Sequence, residues 1–556
     1  MIASSLPVLS LAIVFPLLAL IGLVSLRQSR SIRYYALGVA LAELLLTALP
    51  LLLFDFDSNR IQFIERMNWL PGLNIGYVVG VDGLSVVFPF LTAWVNLAVI
   101  VATWPRLQHQ ARLPLASLFI LESMTIGVFC ALDLVLFLLF WELTLVPVFL
   151  LVNRYGIGPE RHHAAVKYTL LMLGGSTALL TGFLLLAINH AEQLGLPLSS
   201  GFSFDYLTLL HVPVASEMQP VIFWLLLSGF AVRVPAIPFH TWLPTLALEG
   251  PLGLTAWLGG LNLGLYGILR IAIPLAPGAA HAYKDWLLAL GLGGLIYAGL
   301  MALRQTNLRC MLAWASISQA GAILAGIASL TVQGIQGALS QLMNLGIVLT
   351  GLFLLAEFIR QRTATTELAE LGGLARLMPR FTALFLLLGL AAIGTPGTGS
   401  FSAGLLLLIG TFKTHAGAGL AMLSGNVLTA SYFFNACRQV FPGTPPPHNL
   451  TDGMDLRPRE TLLAVIMVIL SLLPGLMPNL FTTLTQKSVT VWITRLNHSP
   501  EGSAYARITG DAPDYPAVGL HHPCATTMNP VSCRDRPAIN PRKRVIRLPI
   551  PDTHSG

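Results

Sequence analysis

The chain has 556 residues, of which 55% are hydrophobic and only 10% are charged, and its mean hydropathy is +0.73. Soluble proteins carry roughly 25% charged residues, so the composition excludes an ordinary soluble protein and indicates an integral membrane protein. The net charge of +7 comes from arginine-rich loops and a basic C-terminal segment, which gives no reason to expect nucleic-acid binding.

Apolar segments long enough to cross a bilayer, which takes about 20 residues, recur along the chain. About fourteen such segments lie near residues 5–26, 34–54, 83–104, 114–132, 133–152, 166–189, 219–243, 251–273, 284–303, 309–329, 333–358, 381–411, 415–437 and 460–484. The pattern predicts an all-α polytopic membrane protein with about 14 transmembrane helices.

Arginine and lysine residues are concentrated in alternate loops between these segments. Basic clusters lie within residues 27–33, 106–112, 154–167, 304–309, 360–380 and 438–459. Because basic loops stay in the cytoplasm, we expect both termini to lie outside the bacterial inner membrane. Arg60 and Arg66, in the loop after the second segment, are the main exception.

The fifth apolar segment carries Glu142 in its middle. The seventh segment carries Arg233, followed by Pro235 and Pro238. Ionisable groups at bilayer depth are costly and indicate a functional site with a partner, so we expect Glu142 and Arg233 to form a charge pair. Two interpretations remain open: a static pair that fixes helix packing, or a part of an ion path.

The two prolines also predict that the seventh helix is broken. They cannot donate the helical hydrogen bonds that the carbonyl oxygens of Ala231 and Val234 would accept. A second interruption, Gly394-Thr-Pro-Gly-Thr-Gly399, lies in the twelfth segment. Each break falls in the fourth helix of a block of five, and an odd number of helices per block inverts the second copy. The pattern therefore predicts two inverted five-helix repeats with broken helices 7 and 12.

These observations divide the chain into five parts. We expect a three-helix segment at 1–104, a first repeat at 105–273, a second repeat at 284–440, helix 14 within 441–487 and a disordered basic outer tail at 488–556. Cys524 and Cys533 lie in this tail, where an oxidising compartment would permit a disulfide bond. The cysteines are not clustered for iron–sulfur ligation, and no residues have metal-ligand spacing.

Three motifs give the chain a resemblance to a known family. Trp69-Leu-Pro-Gly-Leu-Asn-Ile-Gly-Tyr-Val-Val-Gly-Val-Asp-Gly-Leu-Ser85, Phe140-Trp-Glu-Leu-Thr-Leu-Val-Pro147 and Pro238-Phe-His-Thr-Trp-Leu-Pro244 resemble the signature segments of subunit M (chain 4) of proton-pumping NADH:quinone oxidoreductase, complex I. Gly394–Phe401 also resembles the broken twelfth helix of that family. The resemblance extends from about residue 5 to residue 484, and the family is related to Mrp-type antiporter subunits.

The resemblance implies roles for several residues in a proton path. Glu142 matches the glutamate of the family's fifth helix and Lys167 matches a family lysine, but Arg233 stands where the family has a lysine. Arginine stays protonated to above about pH 12, whereas a buried lysine can release its proton. We therefore expect Arg233 to attract or orient charge without relaying protons. His240, which lies in the third motif, is a further polar candidate.

The second half departs further from the family pattern. Asn262 replaces a central lysine, Gln319 replaces a histidine, Leu345 replaces another histidine, and Gly404 replaces a glutamate. The polar residues that remain could order water, but they hardly supply a group whose charge changes. Altered or lost pumping is therefore expected.

The resemblance implies a membrane-arm subunit of a complex I-like NADH:quinone oxidoreductase, with proton translocation coupled to electron transfer. NADH, FMN, iron–sulfur clusters and quinone are expected in partner subunits, and the isolated chain is expected to bind no cofactor and to perform no redox chemistry. The expected partners are other membrane subunits and the lipid bilayer. Alternative hypotheses are a non-pumping structural spacer, or a subunit of an Mrp-type antiporter, a membrane hydrogenase or an inorganic-carbon uptake complex.

Overall fold

A computed structural model describes residues 7–497 of the chain, apart from 59, 106, 108–110, 198–200 and 444–454. The N-terminal part contains α1 (Val8–Ser25), α2 (Ser29–Leu52), β1 (Gln62–Leu70), β2 (Ile75–Val81) and α3 (Val87–Ala102).

The two strands form an antiparallel hairpin between α2 and α3. This interval was expected to be a loop. Its turn begins at Pro71 and ends at Asn74, which has a φ of 54°, a backbone conformation that asparagine tolerates. We call the side of the bundle that carries β1 and β2 the hairpin face.

The following helices carry the first predicted break. They are α4 (Arg112–Cys130), α5 (Leu134–Leu143), α6 (Leu145–Tyr155), α7 (Arg161–Gln193), α8 (Tyr206–Leu209), α9 (Gln219–Arg233), α10 (Trp242–Glu249), α11 (Leu252–Gly260), α12 (Leu263–Gly267), α13 (Ile273–Leu275) and α14 (Pro277–Ala282). Asp133 caps α5 by accepting hydrogen bonds from the backbone of Val135 and Leu136. Burial raises the pKa of this carboxyl, against the opposing effect of the backbone N–H donors.

The remaining helices run to residue 497. They are α15 (Lys284–Leu303), α16 (Leu308–Ala328), α17 (Val332–Thr363), α18 (Leu374–Leu377), α19 (Pro379–Ile393), α20 (Gly399–Thr414), α21 (Ala416–Val440), α22 (Pro458–Leu476) and α23 (Pro478–Asn497). Helix α17 packs against α3, α11, α16, α19, α20, α22 and α23. Its most apolar 18-residue window is entirely buried. A helix that is apolar on all sides belongs in the interior of a large bundle, and α17 occupies that place.

The all-α membrane fold predicted from the sequence is confirmed. Within the described residues, ten helical stretches are long and apolar enough to cross a membrane, and α3, α9 and α19 are shorter apolar helices. The sequence count of about fourteen is higher because it also includes these three shorter helices and α21. Helix α9, for example, has 15 residues and spans about 22 Å, which is less than the ~30 Å hydrocarbon core.

The breaks predicted in helices 7 and 12 are present. Helix α9 ends at Arg233, and α19 ends at Ile393, after which Gly394 adopts a φ of 81°. A third interruption, at Leu261 and Asn262 between α11 and α12, was not predicted. The helix that follows it passes through a π-helical turn at Ile268–Ala272.

The C-terminal helix α23 continues to Asn497, ten residues into the segment that was expected to be disordered from residue 488. Contacts on the hairpin face account for this difference. Trp492 donates a hydrogen bond to the carbonyl of Leu269, and Ser488 accepts one from the backbone of Gly83. The predicted tail beyond residue 497, including Cys524 and Cys533, lies outside the described residues.

An exposed ion pair on the hairpin face joins α23 to the loop after α2. Lys487 lies 2.8 Å from an oxygen of Asp57. Its hydrogen bond and its positive charge lower the pKa of the Asp57 carboxyl. The side chain of Asp57 is 94% exposed, so this pair contributes little to stability.

Candidate functional site

The break after Arg233 is closed by three hydrogen bonds. The carbonyl of Ala231 accepts from the backbone of Ala236 at 3.0 Å, and the carbonyl of Val232 accepts from the Trp242 indole at 2.9 Å. The carbonyl of Val234 accepts from the Asn262 side chain at 3.4 Å. Asn262 therefore connects the predicted break to the unpredicted one. The side chain also caps α12 by accepting from the backbone of Leu265.

Replacing Asn262 by alanine removes the α12 cap and leaves the Val234 carbonyl without its donor. Loss of a cap costs about 0.5–2 kcal/mol, and a buried carbonyl left unsatisfied costs about 1–3 kcal/mol. We therefore expect Asn262→Ala to lower the temperature at which the purified complex dissociates. Asn426→Ala is a matched control, because Asn426 lines a cavity and caps no helix. Equal thermal stability of the two variants would contradict the role assigned to Asn262.

Arg233 is enclosed by the fifth helix rather than exposed to lipid. The residue is 6% exposed, and its Nη2 donates a hydrogen bond to the hydroxyl of Thr144 at 2.8 Å. Its guanidinium carbon lies 4.6 Å from the centre of the Trp141 ring. A cation desolvated over an indole face gains roughly 2 kcal/mol. Thr144 and Trp141 therefore hold the charge where α5 meets α6.

Glu142 and Arg233 do not form the direct charge pair expected from the sequence. Among the described residues, no ion pair within 4.0 Å joins them, and the buried Oε1 of Glu142 has no protein partner. The residues on either side of Glu142 explain this arrangement. Trp141 and Thr144 contact the guanidinium of Arg233, whereas the carboxylate of Glu142 lies on a neighbouring face of the same helix.

Tyr168 brings the two charges into one site. Its side chain is fully buried, and its hydroxyl has no protein partner among the described residues. The charges of both Arg233 and Glu142 act electrostatically on this hydroxyl. The Tyr168 ring packs edge-on against Trp242 at 5.2 Å. Sequence reasoning missed Tyr168, although a tyrosine directly after Lys167 in an apolar helix was an available signal.

Lys167 reaches the far side of the break. Its ammonium group donates to the carbonyl of Thr241 at 3.2 Å and to the hydroxyl of Thr245 at 3.1 Å. The structure therefore places this predicted residue on the same helix as Tyr168, with its charge directed to the start of α10. The charge of Lys167 also acts on the ring of His240.

His240 connects the first half of the chain to the second. It is 8% exposed, and its Nδ1 has no protein partner in the described part of the chain. Its ring contacts the rings of Tyr297 on α15 and Trp314 on α16, at 5.5 Å and 5.2 Å. Depending on its tautomer, Nδ1 of this histidine can donate or accept a hydrogen bond.

Gln319 lies in a separate, uncharged site in the second half. It accepts a hydrogen bond from Gln341 at 3.0 Å and donates one to Thr429 at 3.4 Å. A cavity of about 220 Å³ lies beside it, at the second break. Gln341, Gly394, Ser400, Gly404 and Asn426 also line this cavity. Since a water molecule in the liquid takes about 30 Å³, the space has room for several waters, which only the amide and hydroxyl side chains can hold because the rest of the lining is apolar.

A buried ion pair that the sequence analysis did not consider lies on the hairpin face. Arg270, in the π-helical turn, pairs with Asp82 at the end of β2 and stacks over the Tyr206 ring at 4.8 Å. The signal was present in the sequence, because Asp82 belongs to the first signature motif. The pair joins the hairpin to the helix that contains the third break.

The chain is similar to known membrane proteins over most of its length. A family model described as NADH:quinone oxidoreductase/Mrp antiporter, TM, matches residues 131–429. An NAD(P)H-quinone oxidoreductase chain 4 of Synechococcus sp. (strain JA-3-3Ab) is 36% identical over 488 residues, covering 86% of this chain and 91% of the relative. NADH-quinone oxidoreductase subunit M of Rickettsia typhi is 32% identical over 486 residues, covering 85% of this chain and 96% of the relative. A chain of respiratory complex I from Thermus thermophilus matches with a TM-score of 0.79 and 27% identity, covering 88% of this chain and 99% of that one.

Proposed function

Because the chain belongs to the NADH:quinone oxidoreductase/Mrp antiporter family of membrane proteins, we propose that it is the subunit M (chain 4) component of a complex I-like NADH:quinone oxidoreductase. In this role it takes part in proton translocation coupled to electron transfer in other subunits. NADH, FMN, iron–sulfur clusters and quinone belong to those partners. The chain lies in the bacterial inner membrane with its hairpin face outside.

The observation that carries the proposal is the buried site at the first break. Glu142 and Arg233 act on one hydroxyl, that of Tyr168, while Arg233 is held by Thr144 and Trp141. In this mechanism Glu142 gains and loses a proton, and Tyr168 with ordered water connects it to the break. Arg233 remains charged throughout and stabilises the ionised carboxylate. Lys167 and His240 continue the polar path on the other side of Trp242.

The second half has a different role in this proposal. Its cavity has a mostly apolar lining, and the polar groups in that lining are amides and a hydroxyl, which can hold water but do not change charge near neutral pH. Proton conduction there therefore depends on ordered water. This chain then has altered pumping, because no group in the cavity can be switched between two charge states.

Gly404→Glu tests this assignment by adding a titratable group to the cavity. A Cβ atom at Gly404 meets nothing within 4 Å, so we expect the variant to assemble. We expect the proton-to-electron ratio of the reconstituted complex to change and to become pH-dependent, because a carboxyl now titrates in the path. Gly404→Gln is the matched control, since it adds a side chain of the same length at the same open position but no titratable group. An unchanged ratio for a fully assembled Gly404→Glu complex would contradict a path through this cavity.

Identification of companion subunits tests the assignment to a complex. The tagged chain is purified from native membranes in mild detergent, and its companions are identified by mass spectrometry. We expect an NADH-oxidising arm and NADH:quinone activity in the same particle. Recovery with the subunits of a cation antiporter, without redox proteins or NADH oxidation, would contradict the proposal.

A further inference from the structure

Two glutamates are buried in the N-terminal helices, away from the break. Glu43 on α2 and Glu122 on α4 are both fully buried. Glu43 is the fifteenth of the 24 residues of α2, and Glu122 is the eleventh of the 19 residues of α4. Each carboxyl therefore belongs to the middle part of its helix.

The surroundings of the two carboxyls are polar but incompletely paired. The side chain of Asn96 on α3 donates a hydrogen bond to Oε2 of Glu122 at 2.5 Å. Both carboxyl oxygens of Glu43 and Oε1 of Glu122 have no protein partner within the described ranges. The Oδ1 of Asn96 is also buried and unpartnered. An amide oxygen in this position requires a hydrogen-bond donor.

Among the residues that the structure describes, no positive charge neutralises the pair. Helices α1 and α3, which pack beside α2 and α4, contain no charged residue. The charge that acts on Glu122 is that of Glu43 itself. The other titratable groups of α2, of α4 and of the elements packed against α4 are Arg30, Arg33, Tyr34, Tyr35, Tyr77, Arg112, Cys130, Glu142, Arg154, Tyr155 and Tyr266. In the described structure none of them makes a hydrogen bond or an ion pair with either carboxyl.

Two ionised carboxylates in this place would repel each other and lack a counter-ion in a low-dielectric environment. A bound proton removes both difficulties. It leaves at most one negative charge, and it supplies a donor for the second carboxylate or for the Asn96 oxygen. Since the two groups interact, their protons bind as a coupled pair rather than independently.

We propose that Glu43 and Glu122, with Asn96, form a membrane-embedded proton-binding site in the N-terminal helices, separate from the Glu142–Arg233 site. At least one of the two carboxyls stays protonated at neutral pH. Asn96 fixes the orientation of Glu122 through its hydrogen bond to Oε2. The site stands independently of the assignment to a particular complex.

The test is chemical modification of the assembled complex with dicyclohexylcarbodiimide, a lipid-soluble reagent that adds to protonated carboxyl groups. Modified peptides are identified by mass spectrometry between about pH 6 and pH 8. We expect an adduct on Glu43 or Glu122 throughout this range. Glu357 and Glu460 are matched controls, because both are buried but contact Arg360 and Arg362, and they should not react.

Infrared spectroscopy keeps the proposal testable where the reagent does not penetrate. The carbonyl stretch of a buried protonated carboxyl should weaken in both Glu43→Gln and Glu122→Gln. Both variants should assemble normally, because glutamine resembles a protonated glutamate. An infrared spectrum unchanged by both substitutions would overturn the proposal. Suppression of the adduct by Na⁺ at constant pH would also overturn it, since the pair would then hold a metal cation instead of a proton.

Discussion

Replacing Arg233 by lysine should make proton translocation through this chain strongly pH-dependent, whereas replacing it by glutamine should abolish it. The guanidinium keeps its charge at all relevant pH values, but a buried ammonium can lose its proton. Glutamine leaves ionised Glu142 without a stabilising charge. On the translocon-insertion scale, an uncompensated charge at the bilayer centre costs about 2.5–3.5 kcal/mol. This free energy corresponds to roughly a hundredfold change in the protonation equilibrium of Glu142.

The measurement for Arg233 is the proton-to-electron ratio of the complex in sealed vesicles, followed between about pH 6 and pH 9. Arg376→Lys is the control, because Arg376 is exposed and lies outside both polar sites. Electron transfer should continue in every variant, since the redox groups belong to other subunits. If Arg233→Lys has the same proton-to-electron ratio as the parent complex at every pH, the permanent charge of Arg233 has no effect on proton translocation.

Glu142→Gln should lower the proton-to-electron ratio at all pH values. The substitution preserves the shape of the side chain but removes the group that exchanges a proton. We expect this chain's contribution to the ratio to be lost, because the glutamine amide cannot exchange a proton. Thr144→Val should give a smaller loss, because it removes only the hydrogen bond that orients Arg233.

Glu370→Gln is the control for this second prediction, since Glu370 is exposed in a loop after α17. Comparable ratios for Glu142→Gln and Glu370→Gln, in complexes with equal NADH oxidation, would favour the structural-spacer hypothesis. In that case the buried charges would serve to fix helix packing alone.

The membrane fold and its two principal breaks could be predicted from the sequence because both depend on local chemistry. Apolar length defines the spans, and Pro235 and Pro238 remove specific backbone donors. The break at Asn262 was not predicted because it depends on a distant partner. The Asn262 side chain is stabilised in its position by the freed carbonyl of Val234, 28 residues earlier.

The candidate site was only partly predictable for a similar reason. Charge in an apolar segment identified Glu142 and Arg233, but the sequence does not specify which face of α5 meets α9. In the structure, the guanidinium of Arg233 contacts Thr144 and Trp141. The charges of Arg233 and Glu142 both act on the hydroxyl of Tyr168. The ordered part of α23 depends on contacts with Leu269 and Gly83, which local composition cannot indicate.

The central claim is that Glu142 changes its protonation state during turnover beside a permanently charged Arg233. Infrared difference spectroscopy of the assembled complex, recorded on addition of NADH and quinone, tests it most directly. We expect a carboxyl band that is present in the parent complex and in Arg233→Lys but absent in Glu142→Gln. A difference spectrum in which Glu142→Gln retains every carboxyl band of the parent complex would contradict the claim.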